Sequence, residues 1–150
     1  MLPHANLSKF FPAAYEAQLA AEAAAKDAVA AAGLDPLLVE LVKIRASQLN
    51  GCAFCLRLHT RDAIELGETP DRLAVLPAWW ESQYFTPQEQ AALTLAERVT
   101  RIGDDHTMPA PEVDVTAVLE EKEVAAVMLV TIVINGWNRF AIGSHYPVAS

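Results

Sequence analysis

The chain lacks the features that define several protein classes. It contains only 2 cysteines in 150 residues, too few for the disulfide framework of a small secreted domain. Basic residues are also scarce, since 11 Lys and Arg stand against 19 Asp and Glu, a net charge of −8. Phosphate binding needs a surplus of Lys and Arg, so this balance argues against nucleic acid as a partner.

Targeting and membrane signals are also missing. The segment Met1-Leu2-Pro3-His4 has no cationic region and no following apolar run, so no signal peptide is expected and a cytoplasmic location is predicted. The most hydrophobic segment, 124–134, is shorter than the ~20 residues needed to span a bilayer. Its apolar character on every side predicts a buried helix and suggests a subunit interface.

What the chain does contain is helical signal throughout. Hydrophobic residues make up 53% of it, enough for one domain, 1–150, with a real core. No segment alternates as a strand does, which predicts an all-α fold. The predicted helices are 13–32, 36–49, 52–67, 87–102, 112–119 and 121–142, with a short element after Pro70, an aromatic connector at 77–84 and a loop at 103–111.

Capping residues set the predicted boundaries. Pro12 suits the first turn of the alanine-rich helix, and Gly33 suits its end. Asp35 caps the second helix. The pair Asn50-Gly51 breaks the chain before the third helix and is expected to lie near its N-cap.

The two cysteines, Cys52 and Cys55, form a CxxC motif, and His59 follows four residues later. A helical residue advances about 100°, so these three side chains fall within roughly 60° of one another on one face. Thiol chemistry requires a thiolate, a partner sulfur and a proton carrier. The motif therefore predicts redox chemistry at the N-terminus of a helix.

Two arguments about the nucleophile conflict. Cys52 lies nearest the helix N-terminus, which stabilises a thiolate, as in thioredoxin-like motifs. Cys55 lies four residues before His59, within reach of an imidazole base. Phe54 and Leu58 cover part of this face, and desolvation would raise a thiol pKa and make a base more necessary. Spacing alone leaves the choice open.

Glu40 is a further candidate on the preceding helix. A two-residue break makes the two helices neighbours, and the residues around Glu40 are apolar. Burial among them would raise the carboxyl pKa. Glu40 would then accept a proton directly, or through His59 and water.

The run from Glu40 to Cys55, followed by His59, Ala63 and Gly67, resembles the core of the alkylhydroperoxidase D family in the carboxymuconolactone decarboxylase-like superfamily. The helical remainder is similar to the peroxidase-related branch. The resemblance implies an all-helical subunit that assembles into trimers or hexamers and needs no metal or cofactor.

The same resemblance implies a catalytic disulfide. Cys55 is then the peroxidatic cysteine, which attacks the peroxide. Cys52 is the resolving cysteine, which exchanges with a dithiol reductant of the lipoyl or thioredoxin type. Glu40 and His59 form the proton relay. One departure is Phe54, which stands where the best-described members carry a second relay histidine.

Several alternatives stay open. In one alternative, Cys52, Cys55 and His59 are three zinc ligands, with Glu40 or His106 as a fourth. In another, the two cysteines are buried thiols with no chemical role. Haem attachment is excluded because Leu56, not histidine, follows Cys55. Two other activities remain: a disulfide reductase or redox sensor without peroxidase turnover, and a non-redox decarboxylase-like enzyme. Members of the decarboxylase branch generally lack the CxxC motif.

Overall fold

The computed structural model of the chain describes residues 2–104 and 113–149, and these contain helices and no β-strand. The predicted all-α class is confirmed. The helices are α1 (Leu7–Phe10), α2 (Pro12–Ala32), α3 (Pro36–Asn50), α4 (Ala53–Glu65), α5 (Pro70–Val75), α6 (Pro87–Thr100) and α7 (Glu121–Ser144), with 3₁₀ segments at Leu76–Glu81 and Val115–Ala117.

Local capping chemistry explains most boundaries. Pro12 occupies the first turn of α2, and Gly33 ends that helix in the left-handed region at φ 69°. The Asp35 side chain accepts from the backbone N–H of Leu37 at the start of α3. Thr86 forms a reciprocal capping box at the start of α6. These boundaries agree with the prediction to within two residues.

Two predictions about elements differ from the structure, and one short helix was not predicted. α7 continues through Gly143 and ends at Ser144, because His145 adopts the left-handed conformation and closes the helix. The described part of 112–119 contains a single 3₁₀ turn rather than a helix. α1 was not predicted, and Asn6 caps it by accepting from the backbone N–H of Lys9. Residues 105–112, with His106 and most of the predicted loop, lie outside the described residues.

α3 and α7 form the centre of the fold. α7 packs against α2, α3 and α6, while α3 also packs against α4. By length and composition α7 is apolar enough to cross a membrane, but its buried face belongs to the core shared with these helices. The predicted burial on every side is wrong in the isolated chain, since Ile132 is 57% exposed and Met128 is 39% exposed.

A buried ion pair joins α3 to α6. Arg45 donates from Nε to Oε1 of Glu97 at 2.7 Å, and the indole of Trp79 donates to the same oxygen at 2.9 Å. All three side chains are buried. Removing one partner leaves an uncompensated charge in a low-dielectric interior.

We therefore expect Glu97→Ala to lower the free energy of unfolding by about 3–5 kcal/mol. Urea denaturation monitored by circular dichroism measures this loss. The control is Glu16→Ala on the exposed face of α2, for which a change within about 0.5 kcal/mol is expected. A Glu97→Ala variant as stable as this control would contradict a stabilising role for the pair.

Candidate functional site

The turn between α3 and α4 places the first cysteine. Gly51 adopts φ 67°, and its N–H returns to carbonyls of the last turn of α3. Cys52 follows directly as the N-cap of α4, and its sulfur accepts from the backbone N–H of Cys55 at 3.4 Å. Gly51 lies next to the N-cap of α4, as predicted, and it also ends α3. The Cys52 sulfur thus lies at the positive end of a helix.

Cys52 and Cys55 form a close, buried dithiol. Their sulfurs lie 2.7 Å apart, and both cysteines are free. They are 1% and 3% exposed respectively. A disulfide bond is about 2.05 Å long, so a small movement of either side chain would close it.

The two thiols differ in acidity. The hydrogen bond from Cys55 outweighs the effect of burial and lowers the pKa of Cys52 from 9.0 to about 7, with a further contribution from the backbone N–H of Cys55. The same hydrogen bond, together with burial, raises the pKa of Cys55. The pair therefore releases its first proton to give a thiolate centred on Cys52, and Cys55 keeps its proton.

Glu40 and His59 are in direct contact, on α3 and α4. The imidazole Nδ1 lies 2.8 Å from Oε2 of Glu40, and both side chains are buried. The other carboxylate oxygen, Oε1, accepts from Nζ of Lys43 at 3.1 Å. Glu40 is thus held between an imidazole and an ammonium group.

These contacts correct the expected pKa of Glu40. Burial would raise it, but the hydrogen bond with His59 and the charge of Lys43 together lower it below 4.5. Glu40 is therefore an ionised acceptor at neutral pH rather than a base that takes up a proton. An ionised Oε2 requires the proton on Nδ1 of His59, which leaves Nε2 of a neutral ring as the acceptor.

A cavity of about 430 Å³ joins this pair to Cys55. Its walls come from α2, α3, α4 and α7, and they combine charged side chains with apolar and aromatic ones. The lining residues include Tyr15, Leu19, Glu22, Lys26, Glu40, Lys43, Phe54, Cys55, Leu58, His59, Asp62, Trp137, Ala141 and Tyr146. Cys55 and the proton carriers thus share one space, which is the arrangement expected from the register of α4.

Cys52 lines a different cavity, of about 340 Å³. The aromatic rings of Phe54 and Tyr146 pack edge to face with centroids 5.1 Å apart. Both of these residues line the two cavities. Phe54, which stands where a relay histidine was expected, is therefore part of a wall between the side of Cys55 and the side of Cys52.

The structure also bears on the zinc alternative. In the described part of the chain, the metal-competent group is Glu40, His59 and Asp62, whose ligand atoms lie within 4.8 Å of one another. Neither cysteine belongs to that group. Lys43 already contacts Glu40, and its positive charge opposes a cation there. His106 lies outside the described residues.

Two polar residues at this site were not predicted to take part. Lys43 is 8% exposed and bridges Glu40 and Glu22. Asn138 is fully buried, and hydrogen bonding from its side chain contributes to the lowered pKa of Cys52 and opposes the raised pKa of Cys55. The available signal was an amide in α7 set four residues after Ile134 and three before Ala141.

Comparisons with known proteins agree with this fold. The model of the carboxymuconolactone decarboxylase family matches residues 12–98. The uncharacterized protein YdfG of Bacillus subtilis (strain 168) is 40% identical over 111 residues, which are 74% of this chain and 76% of YdfG. The uncharacterized protein YnjA of Escherichia coli (strain K12) is 33% identical over 64 residues, 43% of this chain and 35% of YnjA.

A solved structure covers the whole length. ATU0492 from Agrobacterium tumefaciens is a protein of unknown function described as a candidate antioxidant defence protein AhpD. It superposes with a TM-score of 0.81 at 30% identity, covering 99% of each chain. This chain belongs to the carboxymuconolactone decarboxylase family, within the alkylhydroperoxidase D-like superfamily.

Proposed function

We propose that the protein is a thiol peroxidase that reduces a hydroperoxide through a Cys52–Cys55 disulfide cycle. The observation that carries the proposal is the placement of Cys55. Its sulfur is 2.7 Å from a partner sulfur, and it shares a cavity with the Glu40–His59 pair. A nucleophile, a resolving thiol and a proton carrier are the components that peroxide reduction by thiols requires.

The first step oxidises Cys55. Its proton passes to Nε2 of His59, and the thiolate attacks the terminal oxygen of the peroxide, breaking the O–O bond. The products are a sulfenic acid on Cys55 and an alkoxide, which the imidazolium protonates to the alcohol. Because the pKa of Cys55 is raised, this step depends on the base. Glu40 stabilises the imidazolium without itself taking a proton.

The second step forms the disulfide. Cys52, which is the N-cap of α4 and so lies at the positive end of that helix, attacks the sulfenic sulfur as a thiolate and displaces hydroxide, which leaves as water after protonation. A dithiol then reduces the disulfide by exchange and is itself oxidised. Over one cycle, a peroxide and a dithiol give an alcohol, water and a disulfide.

The reductant, in this proposal, approaches from the side of Cys52. The cavity of about 340 Å³ there is bounded by the C-terminal segment, including Pro147 and Val148. Because Cys52 is 1% exposed, a cysteine on a flat protein surface reaches it poorly. This burial favours a lipoyl-type reductant, whose dithiol is carried on a slender arm, over a thioredoxin-type reductant, whose cysteine lies on the protein surface.

Assembly and location complete the proposal. Met128 and Ile132 leave apolar surface exposed on α7, which suits burial in a homo-oligomer such as a trimer or hexamer. A free, closely spaced dithiol suits a reducing compartment, so we propose a cytoplasmic location.

The direct test is peroxide consumption by the purified, reduced protein. We expect one equivalent of peroxide to remove both thiols, and added dithiol to support turnover. Disulfide exchange without peroxide-dependent thiol loss would instead favour a disulfide reductase or redox sensor. A decarboxylase-type activity that survives Cys52→Ser/Cys55→Ser would favour a non-redox enzyme of the same family.

The two cavities predict separable half-reactions. Leu58 and Val148 are both about half exposed, and each lines one cavity, on the side of Cys55 and of Cys52 respectively. We expect Leu58→Trp to slow oxidation of the reduced protein by cumene hydroperoxide about tenfold, a loss of ~1.4 kcal/mol, while leaving reduction unchanged. Val148→Trp should do the opposite with dihydrolipoamide as reductant.

Stopped-flow tryptophan fluorescence and thiol counting measure both half-reactions. For the second half-reaction, the disulfide is prepared by oxidation with diamide. Its reduction can then be measured even if the protein does not react with the peroxide. Equal slowing of both half-reactions by either variant would contradict the assignment of one cavity to each substrate.

A further inference from the structure

One face of α7 lies against the dithiol. Ile134 and Ala141 pack with Cys52 and Cys55 in a single buried cluster. Asn138 lies between them on the same face, four residues after Ile134, and is 0% exposed. A buried amide needs hydrogen-bond partners, because an unpaired polar atom in the interior is costly. Its partners therefore define its role.

The first partner fixes the direction of the Asn138 amide. The Ser47 hydroxyl donates its only hydrogen to the backbone carbonyl of Lys43 at 2.8 Å. Its oxygen can then only accept from Asn138, and the Nδ2–Oγ distance is 3.0 Å. The NH₂ group of Asn138, rather than its carbonyl, must face Ser47.

The hydrogen bonds on the carbonyl side of Asn138 require the same orientation of its amide. Arg139, which has only donors, donates to Oδ1 of Asn135 at 2.9 Å. Nδ2 of Asn135 donates to the backbone carbonyl of Thr131. Asn50 then donates from Nδ2 to Oδ1 of both Asn135 and Asn138, at 2.9 and 2.8 Å. The carbonyl of Asn138 is therefore already occupied.

Counting the groups of Asn138 leaves one donor. Its carbonyl accepts from Asn50, and one of its two N–H groups goes to Ser47. The second N–H is left for the sulfur atoms on the face that α7 presents to the cysteines. Hydrogen bonding from this side chain acts on both sulfurs: it contributes to the lowered pKa of Cys52 and offsets part of the raised pKa of Cys55.

We propose that Asn138 is a positioning residue whose remaining N–H donates to the Cys52–Cys55 dithiol and stabilises its reduced, thiolate form. A thiolate is a strong acceptor and a disulfide sulfur a weak one, so this donor favours reduction of the disulfide. The inference deepens the proposed function, since it names the residue that sets the redox balance of the same site. It concerns the thiols themselves and can be measured without peroxide.

The test compares Asn138→Leu with Thr131→Val. Both positions are fully buried polar residues of α7, but the Thr131 hydroxyl bonds only within its own helix, to the carbonyl of Val127. For Asn138→Leu we expect alkylation by iodoacetamide at pH 7 to slow about tenfold. Equilibration with dithiothreitol should shift about tenfold toward the disulfide, a potential ~30 mV lower. Thr131→Val should change neither the rate of alkylation nor the reduction potential.

A second substitution keeps the test valid if Asn138→Leu does not fold. Asn138→Asp preserves the shape but replaces the donor by a carboxylate, which should slow alkylation more than leucine does. A purely structural role would lower thermal stability in both variants and leave alkylation and potential at wild-type values. That result, or an equal shift in Thr131→Val, would overturn the proposal. Shifted thiols in a protein that consumes no peroxide would instead contradict only the peroxidase function.

Discussion

We expect Cys55→Ser to lower the rate of peroxide consumption by at least about a thousandfold, because it removes the proposed nucleophile. Serine is far less nucleophilic than cysteine, and its hydroxyl cannot form a disulfide with Cys52. The loss should persist in the presence of excess dithiol. Peroxide is measured directly, for example by ferrous oxidation of xylenol orange, with the reduced wild-type protein as reference.

Cys52→Ser should behave differently. Cys55 can still attack, so we expect one peroxide to be consumed per subunit, followed by a sulfenic acid that dimedone traps and mass spectrometry detects. Turnover then stops for lack of a resolving thiol. The fold is preserved in this variant because serine is a favourable N-cap, and position 52 is the N-cap of α4.

The two variants together decide which thiol attacks. The lower pKa of Cys52 argues for that residue, while the position of Cys55 in the cavity with Glu40 and His59 argues for the other. Dimedone labelling of Cys52 in Cys55→Ser, with no labelling of Cys55 in Cys52→Ser, would reverse the assignment. Single-turnover rates separate the two outcomes from a general loss of folding.

Local sequence signals were enough for most of the fold. Proline at the first turn and glycine after the last turn identified α2, and Thr86 with Glu89 identified the start of α6. The end of α7 was misplaced at Gly143, since glycine there is helical and His145 takes the left-handed conformation. Histidine is a weaker sequence signal for this conformation than glycine, so Gly143 was taken as the end.

The sequence predicted those parts of the candidate site that depend on the spacing of residues along one helix. The spacing of Cys55 and His59 placed both in one cavity, and the short break brought Glu40 into contact with His59. The pKa of Glu40 was mispredicted because burial, which raises it, is outweighed by the hydrogen bond with His59 and then by the charge of Lys43. The apolar neighbours of Glu40 in the sequence indicated only the burial. Charge pairing outweighed burial.

Long-range contacts account for what could not be predicted. Asn138 lies 91 positions from Ser47, and only the packing of α7 against α3 brings them together. The wall between the two cavities likewise depends on Tyr146 meeting Phe54, a contact between the C-terminal segment and α4. The hydrophobic periodicity of a single helix predicts neither of these two contacts.

Glu40→Gln is expected to lower the peroxidase rate by between roughly a hundredfold and ten-thousandfold, because it inverts the tautomer of His59. Lys43 has only donors, so the carbonyl of the new amide must face its ammonium, where Oε1 now lies at 3.1 Å. The NH₂ group then faces Nδ1 of His59, which must become an acceptor. The ring proton moves to Nε2, and the base that faces the cavity is lost.

The same substitution removes a pH-dependent contribution to stability. The folded pKa of Glu40 lies below its ordinary value of 4.5, so its ionised form stabilises the fold above that pH, and the contribution disappears as pH falls through the lower, folded pKa. We expect Glu40→Gln to be less stable at pH 7 by about 1.5–3 kcal/mol, the scale of a hydrogen bond to a charged group. Urea denaturation should show the two proteins converging in acid.

A double substitution isolates the tautomer from this loss of stability. In Glu40→Gln/Lys43→Leu, no ammonium holds the carbonyl, so the amide can turn and accept from Nδ1, returning the proton to its wild-type position. We expect the double variant to recover about tenfold in rate over Glu40→Gln, although it lacks both charges. A double variant no faster than Glu40→Gln would contradict control of the tautomer.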